Sequence, residues 1–429
     1  MNYTEALEYI HSINWTFCKP GLERISALCE ALGNPQKKTK FIHIAGTNGK
    51  GSVSAMLSAI LSDAGYKVGL YTSPYIKAFN ERMAINGEPI SNSELVELTE
   101  YIRPIADQMS DKPTEFELIT ALAFEYFARN QCDLVVLECG LGGRLDSTNI
   151  VDTTVLSLIT GVALDHTSIL GNTVAQIAEE KAGIIKNGVP VLFGNNSHED
   201  DALDVIRRVS AQKNAPLTVT NESLLSNVRH AISGTHFDFG AEKDYSLTLL
   251  GVYQPYNAAT VLTAVQTLRD HGYSIPEAAV RSGLRRVYWP ARFERLSDDP
   301  IVIYDGGHNP QGIAAAKQSI HAYFGEETVL LLTGLMGDKD YSLMVGELAP
   351  IAEQVYTVTP DNPRSLAADK LAEVYRACGA DATAFSTVEE AVAAAINDAR
   401  ARKKPLFILG SLYLYCEVYP LVEKYTAST

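Results

Sequence analysis

The chain has 429 residues, of which 46% are apolar and 20% are charged, and its formal net charge is −15. This length predicts two domains, and the composition is that of a soluble globular protein rather than a disordered one. An acidic chain without a basic footprint excludes a nucleic-acid partner. No apolar run is long enough to span a membrane and the N-terminus carries no secretion signal, so we expect a cytoplasmic protein with no membrane partner.

The cysteines are scattered without the paired spacing of a zinc site. They are Cys18, Cys29, Cys132, Cys139, Cys378 and Cys416. No cluster of histidines accompanies them. We therefore expect buried free thiols in a reducing cytosol, with neither a zinc site nor a disulfide framework.

From residue 39 to about 220, short β-branched runs alternate with amphipathic stretches. The runs predict strands at 41–45, 67–72, 133–138, 153–159 and 189–194. The amphipathic stretches predict helices at 50–63, 92–109, 115–130 and 173–187. Capping boxes from Ser91 to Glu94 and from Thr114 to Glu117 mark two of the helix starts. Such alternation predicts a parallel sheet covered by helices.

Short strands at 227–250 and helices at 256–270 and 276–285 follow, and the stretch RRVYWPARFERL (285–296) interrupts the pattern. A second alternation then predicts strands at 301–305, 328–333, 354–359 and 405–410, with helices at 310–323, 366–377 and 387–401. The predicted fold is α/β, with an N-terminal P-loop-type parallel-sheet domain flanked by helices and a smaller C-terminal α/β, Rossmann-like domain. We place these domains at residues 1–290 and 291–429.

The stretch FIHIAGTNGKGSVSAML (41–57) is typical of a phosphate-binding loop between a strand and a helix. Its glycines let backbone N–H groups face an anion, and Lys50 and the helix N-terminus add positive charge. The common pattern G-x-x-x-x-G-K-[ST] puts a hydroxyl directly after the lysine to hold Mg²⁺. Here Gly51 follows Lys50, and Ser52 comes one residue late. The loop predicts nucleotide binding, against the alternative of a ligand-free turn, and leaves the metal ligand open.

Three polar residues lie at or shortly after the carboxyl ends of predicted strands of the first domain, namely Ser73, Glu138 and His166. Ligands of open α/β sheets bind at the carboxyl ends of the strands, where Lys50 also lies. A hydroxyl, a carboxylate and an imidazole form a set suited to Mg²⁺. Each residue also has an ordinary alternative. Ser73 could cap a helix, Glu138 could pair with Arg144, and His166 could be a turn residue, but their common location favours the metal site.

Other candidates are weaker when each is taken alone. The glycine-dense segment LECGLGGRLDSTN (137–149) is either a ligand loop or a surface loop, and Lys181 among acids is typical of a solvated lysine. Asn257 near a helix start is equally consistent with a helix cap.

The segment IVIYDGGHNPQG places polar groups after a strand of the second domain. They are Asp305, His308 and the predicted N-cap and N1 pair of Asn309 and Pro310. Together with Arg292, Asp305 and His308 would face the first domain if a cleft between the domains is the site.

The chain resembles the folylpolyglutamate synthase/dihydrofolate synthase family of Mur-type ATP-dependent amide ligases, in order from about residue 20 to 415. The segments that carry the resemblance are GTNGKGS, YTSPYIKAFNERMAINGEPIS, TEFELITALAFEYF, LECGLGGRLDSTN, LDHTSILG, EKAGI, YWPARFE, YDGGHNP, GLMGDKD and LGSLYL. The FNERM-x-ING and GLGGRLD-x-TN segments are specific to the folate branch, whereas GTNGKG is shared with the muramyl ligases.

The resemblance implies roles for particular residues. ATP would be bound by Thr47, Asn48, Gly49, Lys50, Gly51, Ser52, Asn257, Arg292, Asp305 and His308. Mg²⁺, in two sites, would be held by Ser73, Glu138, His166 and Lys181, with Lys181 carbamylated and K⁺ as a further cation. The pterin end would lie near PGLER (20–24), TEFE (114–117) and LDS (145–147), at Gly21, Leu22, Thr114, Phe116, Glu117, Leu145 and Asp146. Lys50, His166 and Lys181 would be catalytic.

The implied reaction joins L-glutamate to a folate, or to dihydropteroate, through an acyl phosphate made from ATP, with closure of two domains around the 285–296 linker. The expected partners are these small molecules, and the expected state is a monomer. The alternatives are another Mur-type ligase acting on a cell-wall precursor, and a P-loop kinase or nucleotide switch.

The motifs leave open which of the two acceptors is used, the one-carbon form of folate, the tail length and the state of Lys181. Three departures from the family pattern stand out, at Tyr75 (often His), Ala291 (often Gly) and Cys416 (often Gly). None of them removes a proposed ligand, although Tyr75 lies near the folate loop and could alter substrate preference.

Overall fold

The protein is described by a computed structural model that covers residues 1–12, 21–194 and 200–427. It divides into two compact units, one formed by Met1–Leu225 and Tyr256–Val287, the other by Ser226–Pro255 and Tyr288–Thr429. The segment 226–255 therefore belongs with the C-terminal unit, whereas the domain prediction had it in the N-terminal domain. Within the described ranges, no helix is both long and apolar enough to cross a membrane.

The first unit is built on a mainly parallel sheet. Its strands are β1 (Lys40–Ala45), β2 (Val68–Tyr71), β3 (Met83–Ile85), β4 (Glu88–Pro89), β5 (Leu134–Glu138), β6 (Thr154–Ile159), β7 (Val191–Phe193) and β8 (Leu217–Val219). Among the described residues they lie in the order β4-β3-β2-β5-β1-β6-β7-β8. Neighbouring strands in the run β2-β5-β1-β6-β7-β8 pair in parallel. At one edge, β3 pairs antiparallel with both β2 and β4.

Helices cover both faces of this sheet. They are α1 (Tyr3–His11), α2 (Glu23–Ala31), α3 (Lys50–Asp63), α4 (Asn92–Gln108), α5 (Glu115–Arg129), α6 (Thr167–Leu170), α7 (Val174–Ala182), α8 (Asp200–Gln212), α9 (Gln254–Asp270) and α10 (Glu277–Arg286). One apolar cluster includes Phe41, Tyr71 and Phe124, and another includes Ile159 and Phe193. Because both faces are buried, the central strands are continuously apolar rather than alternating.

The second unit contains two sheets. Its strands are β9 (Leu225–Ala231), β10 (Gly234–Phe239), β11 (Glu242–Leu247), β12 (Glu294–Asp298), β13 (Ile301–Asp305), β14 (Val329–Thr333), β15 (Ala352–Thr357), β16 (Ala382–Ala384) and β17 (Leu406–Leu409). The helices are α11 (Pro310–Phe324), α12 (Tyr341–Leu348), α13 (Ala368–Ala377), α14 (Val388–Arg402) and α15 (Tyr415–Thr426). The sheet orders across the described residues are β11-β10-β9 and β12-β13-β17-β14-β15-β16.

Single 3₁₀ turns occupy Pro35–Lys37, Phe79–Arg82, Ser147–Ile150, Glu222–Leu224 and Ala349–Ile351. The predicted α/β class with two sheet domains is confirmed. Each predicted element has a counterpart with ends within about two residues, with two exceptions. The short strands predicted over 227–250 end at Leu247, and the helix predicted at 173–187 ends at Ala182. A Cβ at the next residue, Gly183, would meet the Cα of Arg144. The chain therefore packs backbone against backbone where the helix stops.

The cysteine prediction is partly wrong. Cys29, Cys132 and Cys139 are buried free thiols, but Cys378 and Cys416 are exposed. Cys378 lies directly after α13 and Cys416 lies in the first turn of α15, at ends of helices that face solvent. The remaining cysteine, Cys18, lies outside the described residues.

Candidate active site

The loop after β1 lies at the centre of the sheet edge and is tied to the end of β6. The backbone N–H of Thr47 donates to Gly161 at 2.8 Å, and its hydroxyl bonds with the N–H and carbonyl of Ala163 at 3.0 and 3.2 Å. The Thr160 hydroxyl donates to the carbonyl of Asn48 at 2.6 Å. These bonds fix the loop before any ligand arrives, which is the preorganisation that a phosphate cradle requires.

Two glycines of the loop have no room for a side chain. Gly49 has φ 85°, and a Cβ there would lie 2.7 Å from Oδ1 of Asn257. A Cβ on Gly46 would collide with the Thr160 hydroxyl. Asn257 is buried within α9, which begins at Gln254, so the alternative that Asn257 caps this helix is wrong. Its side chain instead lies against Gly49 of the loop, and its contact with ATP stays a prediction.

Two lysines approach the first carbonyl of this loop. Lys50, the first residue of α3, donates to the carbonyls of Gly46 and Thr47 at 3.0 and 3.1 Å. Lys181 of α7 donates to the same Gly46 oxygen at 2.8 Å. Lys181 is only 4% exposed, so the alternative of a solvated lysine is wrong. Its burial, reinforced by the charge of Lys50, lowers the pKa of Lys181 to about 7.

Ser73 and Glu138 lie side by side at the ends of neighbouring strands β2 and β5. The Ser73 backbone N–H lies 3.4 Å from Oε2 of Glu138, whose side chain is buried. No helix begins at Ser73, and Arg144 pairs with Glu180 at 2.8 Å instead of with Glu138. Both alternatives for these two residues are therefore wrong. In the sheet, Glu138 is opposite Ile44, two residues before the phosphate loop.

His166 follows β6 at the same sheet edge, but it is the least enclosed member of the predicted set. Its side chain is 46% exposed, and its Nε2 lies 3.9 Å from the Asp165 carboxylate. It has φ 49° and precedes the short helix α6. Strand order thus gives Ser73, Glu138, the phosphate loop and His166 in sequence across four neighbouring strand ends.

The donor chemistry at this edge fits Mg²⁺. A buried carboxylate beside a serine supplies hard oxygen ligands, and a site of this kind leaves positions for water and phosphate oxygens. In the described part of the chain, no group of three or more His, Cys, Asp or Glu side chains forms a metal site by itself. An ion here would therefore take part of its coordination from the nucleotide.

The second unit holds a buried carboxylate at the end of β13. Asp305 accepts hydrogen bonds from the Tyr253 hydroxyl at 2.7 Å and from the backbone N–H groups of Phe293 and Gly307 at 2.8 and 2.7 Å. Burial raises the pKa of Asp305, although each of these donors acts in the opposite direction. The carboxylate therefore fixes the chain directly after Arg292 and at the start of the GGHNP turn.

Arg292 and His308 flank this carboxylate. Arg292 Nη1 lies 3.2 Å from the carbonyl of Ala291, and His308 Nδ1 donates to the carbonyl of Gly306 at 2.9 Å. Asn309 caps α11 through the N–H of Gly312 at 2.7 Å, and Pro310 is the first helical residue, as predicted. Arg292, Asp305 and His308 are therefore brought together within one unit.

The residues predicted for the pterin end form two neighbouring groups. A Cβ on Gly140 would lie 2.6 Å from the Phe116 ring, and the Tyr71 ring is 6.2 Å from that of Phe116. Asp146 is buried and accepts from the N–H of Leu141 at 2.9 Å and from the Thr148 hydroxyl at 2.5 Å. Its carboxylate thus holds the 141–148 loop, in which Arg144 and Leu145 are exposed.

The second group joins α2 to α5. Glu117 completes a capping box with Thr114 and accepts from Nε of Arg24 at 3.0 Å. Gly21 and Leu22 directly precede α2, and Leu22 packs against the adjacent core. Pro20, the first residue of the PGLER segment, lies outside the described residues. The Glu117 carboxylate therefore links α2 to the N-terminus of α5.

Sequence reasoning missed three residues of this region. Thr160 directly follows β6, and Glu138 is the last residue of β5, so the same search for polar residues at strand ends would have found Thr160. Tyr253 has no local signal, because its partner Asp305 is distant in the chain. Arg82 stood in the quoted FNERM segment without a role.

Two family descriptions match the chain, the Mur ligase middle domain over residues 44–265 and the Mur ligase glutamate ligase domain over residues 291–412. Fold and site thus define a Mur-type ATP-dependent ligase.

The dihydrofolate synthase/folylpolyglutamate synthase of Bacillus subtilis (strain 168) is 37% identical over 428 residues, covering 97% of this chain and 98% of that protein. The folylpolyglutamate synthase of Lacticaseibacillus casei is also 37% identical, over 425 residues, covering 96% and 97%. A solved folylpolyglutamate synthase in complex with AMPPCP and folate has a TM-score of 0.85 at 34% identity, covering 100% of both chains. The chain belongs to the folylpolyglutamate synthase/dihydrofolate synthase family.

Proposed function

We propose that this protein uses ATP to join the α-amine of L-glutamate to a carboxylate of a folate, extending its glutamate tail. Dihydropteroate is the second candidate acceptor, because a bifunctional and a monofunctional relative are equally similar to the chain. The observation that carries the proposal is the convergence of Lys50 and Lys181 on the Gly46 carbonyl, which concentrates positive charge beside a preorganised phosphate loop of an otherwise acidic protein. Membership of the folate branch speaks against the cell-wall and kinase alternatives.

In the first step, an oxygen of the acceptor carboxylate attacks the γ-phosphorus of ATP, and the bond to the β,γ-bridging oxygen breaks. The products are an acyl phosphate and ADP. The loop residues Thr47–Ser52 would hold the phosphates through backbone N–H groups and the N-terminus of α3, while Lys50 offsets their charge. Mg²⁺ held by Ser73 and Glu138 would supply further charge neutralisation at the transferred group.

In the second step, the glutamate amine attacks the acyl carbon, the tetrahedral intermediate collapses, and phosphate leaves as the amide forms. The chain's task here is to position the amine and keep water away from the acyl phosphate. Asn257, Arg292, Asp305 and His308 are proposed as further nucleotide contacts. Asp305 would act by fixing the chain around Arg292, since its own oxygens accept three protein hydrogen bonds.

Lys181 is proposed to become carbamylated. Because its pKa is about 7, Lys181 is a neutral amine in a large fraction of the molecules near neutral pH. That amine can add to the carbon of CO₂ and lose one proton, which gives a carbamate anion. Together with His166, the carbamate would bind a second Mg²⁺, and K⁺ is a further candidate cation.

The modification is tested by ¹³C NMR on protein kept in ¹³C-bicarbonate. We expect a carbamate resonance in wild-type protein and none in Lys181→Gln. A spectrum without that resonance would refute the modification.

The proposed enzyme works as a cytoplasmic monomer. The experiment that tests its function is ATP turnover measured with L-glutamate plus tetrahydrofolate, with L-glutamate plus dihydropteroate, and with L-glutamate alone. ADP release should depend on a pterin acceptor, and the more active acceptor assigns the chain to tail extension or to addition of the first glutamate.

A further inference from the structure

Arg82 is a partly buried cation without a carboxylate partner among the described residues. Its Nε and Nη1 atoms are enclosed by protein and have no hydrogen-bond acceptor in that part of the chain. Its guanidinium carbon lies 5.3 Å from the centre of the Tyr75 ring and 5.7 Å from that of Phe79. Aromatic rings stabilise a cation but do not satisfy its N–H groups, so an anion is the missing partner of this guanidinium.

The location of Arg82 relates it to the acceptor. Its carbonyl accepts from the N–H of Thr72 at 3.1 Å, next to the proposed metal ligand Ser73. Its charge also acts on the Tyr71 hydroxyl, opposing the rise in the pKa of that group caused by burial. The guanidinium is therefore near Tyr71, the last residue of β2, whose ring is 6.2 Å from that of Phe116 in the predicted pterin region.

The distance to the phosphate loop decides which carboxylate fits. Arg82 directly precedes β3, and the order β3-β2-β5-β1 puts three strand spacings between it and the loop after β1. At about 4.8 Å for each spacing, the two backbone positions are about 14 Å apart. The carboxylate to be phosphorylated must lie at the loop. A carboxylate at Arg82 is therefore a second one, carried by the same acceptor.

We propose that Arg82 binds the α-carboxylate of the terminal glutamate of the folate acceptor, and so favours acceptors that already carry a glutamate. The inference rests on the proposed function. A three-carbon chain joins the α- and γ-carboxylates of glutamate, so the first can pair with the guanidinium while the second reaches the phosphate loop. Arginine suits this role because its planar N–H groups match a carboxylate in a bidentate pair. Dihydropteroate has no such second carboxylate.

The test compares tetrahydrofolate with its α-carboxamide, which has the same shape but lacks that charge. Their dissociation constants are measured by calorimetry on wild-type protein, Arg82→Gln and the control Arg103→Gln, with Mg²⁺ and AMPPCP present. Arg103 is matched because it also lies over an aromatic ring, that of Tyr9 at 4.8 Å, but it has a partner in Asp107.

Wild-type protein and Arg103→Gln should bind the carboxylate about 10- to 100-fold more tightly than the carboxamide, and Arg82→Gln should bind both alike. If wild-type protein binds tetrahydrofolate and its α-carboxamide with equal affinity, the proposal is overturned. It is also overturned if Arg82→Gln prefers tetrahydrofolate over the carboxamide as strongly as wild-type protein does. Failure of wild-type protein to bind either ligand would instead count against the folate function itself.

A purely structural role for Arg82 predicts a lower melting temperature with unchanged discrimination. Arg82→Lys keeps the charge but not the planar fork, so it should recover part of the preference. If Arg82→Lys has the melting temperature of wild-type protein but shows no preference for the carboxylate over the carboxamide, a charge-based role is contradicted.

Discussion

Lys50 and Lys181 donate to one carbonyl oxygen, that of Gly46, at 3.0 and 2.8 Å. They come from different helices, α3 and α7, so the tertiary fold rather than local sequence brings the two ammonium groups together. Two cations that share one acceptor repel each other, and Lys181 is the one enclosed by protein. Its protonation is therefore coupled to the stability of the fold.

The first prediction is a pH dependence of stability that belongs to Lys181. Its pKa is lowered from 10.5 to about 7 in the folded chain, so between these values the unfolded chain binds the extra proton. Stability should therefore rise with pH across this window, by up to about 5 kcal/mol, whereas below pH 7 the cost of the buried charge is fully present. The measurement is urea unfolding at pH 6.5 and 9.5 in CO₂-free buffer.

Lys181→Met is the matched variant, because it keeps the length of the side chain and has no proton to lose. The difference in unfolding free energy between wild-type protein and Lys181→Met should shift in favour of the wild type as pH rises. A difference that stays constant from pH 6.5 to 9.5 would mean that the lysine is not held neutral.

The second prediction concerns Glu138 and Ser73. Glu138→Ala should lower kcat/KM for Mg²⁺–ATP by about 100-fold or more, and Ser73→Ala by about 10-fold, because both remove oxygen ligands from the proposed metal site. Titration of Mg²⁺ at fixed ATP should show a raised metal requirement. Glu97→Ala, which removes an exposed carboxylate paired with Arg129, is the control and should behave as wild type. Full activity in Glu138→Ala would show that the metal lies elsewhere.

The third prediction tests the carboxylate of the second unit. Asp305→Asn replaces one acceptor oxygen with an N–H₂ group that faces protein donors, so the second unit should lose about 2–4 kcal/mol of unfolding free energy. Tyr253→Phe removes only one of the three donors and should cost about 1 kcal/mol. Urea unfolding followed by tryptophan fluorescence, to which Trp289 of the second unit contributes, measures both. Equal costs for the two variants would contradict the assigned hydrogen bonds.

The fourth prediction concerns Ala291, which has φ 57° where the family often has glycine. Two hydrogen bonds, each 2.8 Å long, hold Ala291 in the left-handed region. Its N–H donates to the Glu294 carboxylate, and its carbonyl accepts from the N–H of Gly306. Ala291→Gly should relieve that strain and stabilise the protein by about 0.5–1 kcal/mol.

Ala316→Gly is the control for Ala291→Gly. Ala316 is equally buried, but it lies inside α11, where glycine should cost about 1 kcal/mol. Thermal unfolding of the two variants should therefore show melting temperatures that move in opposite directions. A fall of similar size in both would indicate that the left-handed conformation at Ala291 carries no strain.

Local sequence predicted the elements that position the loop. The strand ending at Ala45, the glycines and the helix Lys50–Asp63 follow from apolar runs and turn chemistry confined to a few neighbouring residues. The capping boxes at Ser91 and Thr114 are equally local. The antiparallel edge formed by β3 and β4 was not predicted, because two- and three-residue strands carry too little periodicity to be recognised.

Contacts between distant segments explain what the sequence did not reveal. Lys181 has acidic neighbours in the chain, and only the packing of α7 against the loop shows that it is buried. The bond from Tyr253 to Asp305 joins residues about 50 positions apart. That Nε and Nη1 of Arg82 have no acceptor among the described residues could be recognised only after its surroundings were known.

The measurement that tests the central claim most directly is ADP release by the purified protein with ATP, Mg²⁺ and L-glutamate, in the presence of tetrahydrofolate, dihydropteroate or neither. The account predicts that turnover requires one of the two acceptors and L-glutamate, with the product heavier by one glutamyl residue. Turnover that is the same with and without both acceptors would contradict it.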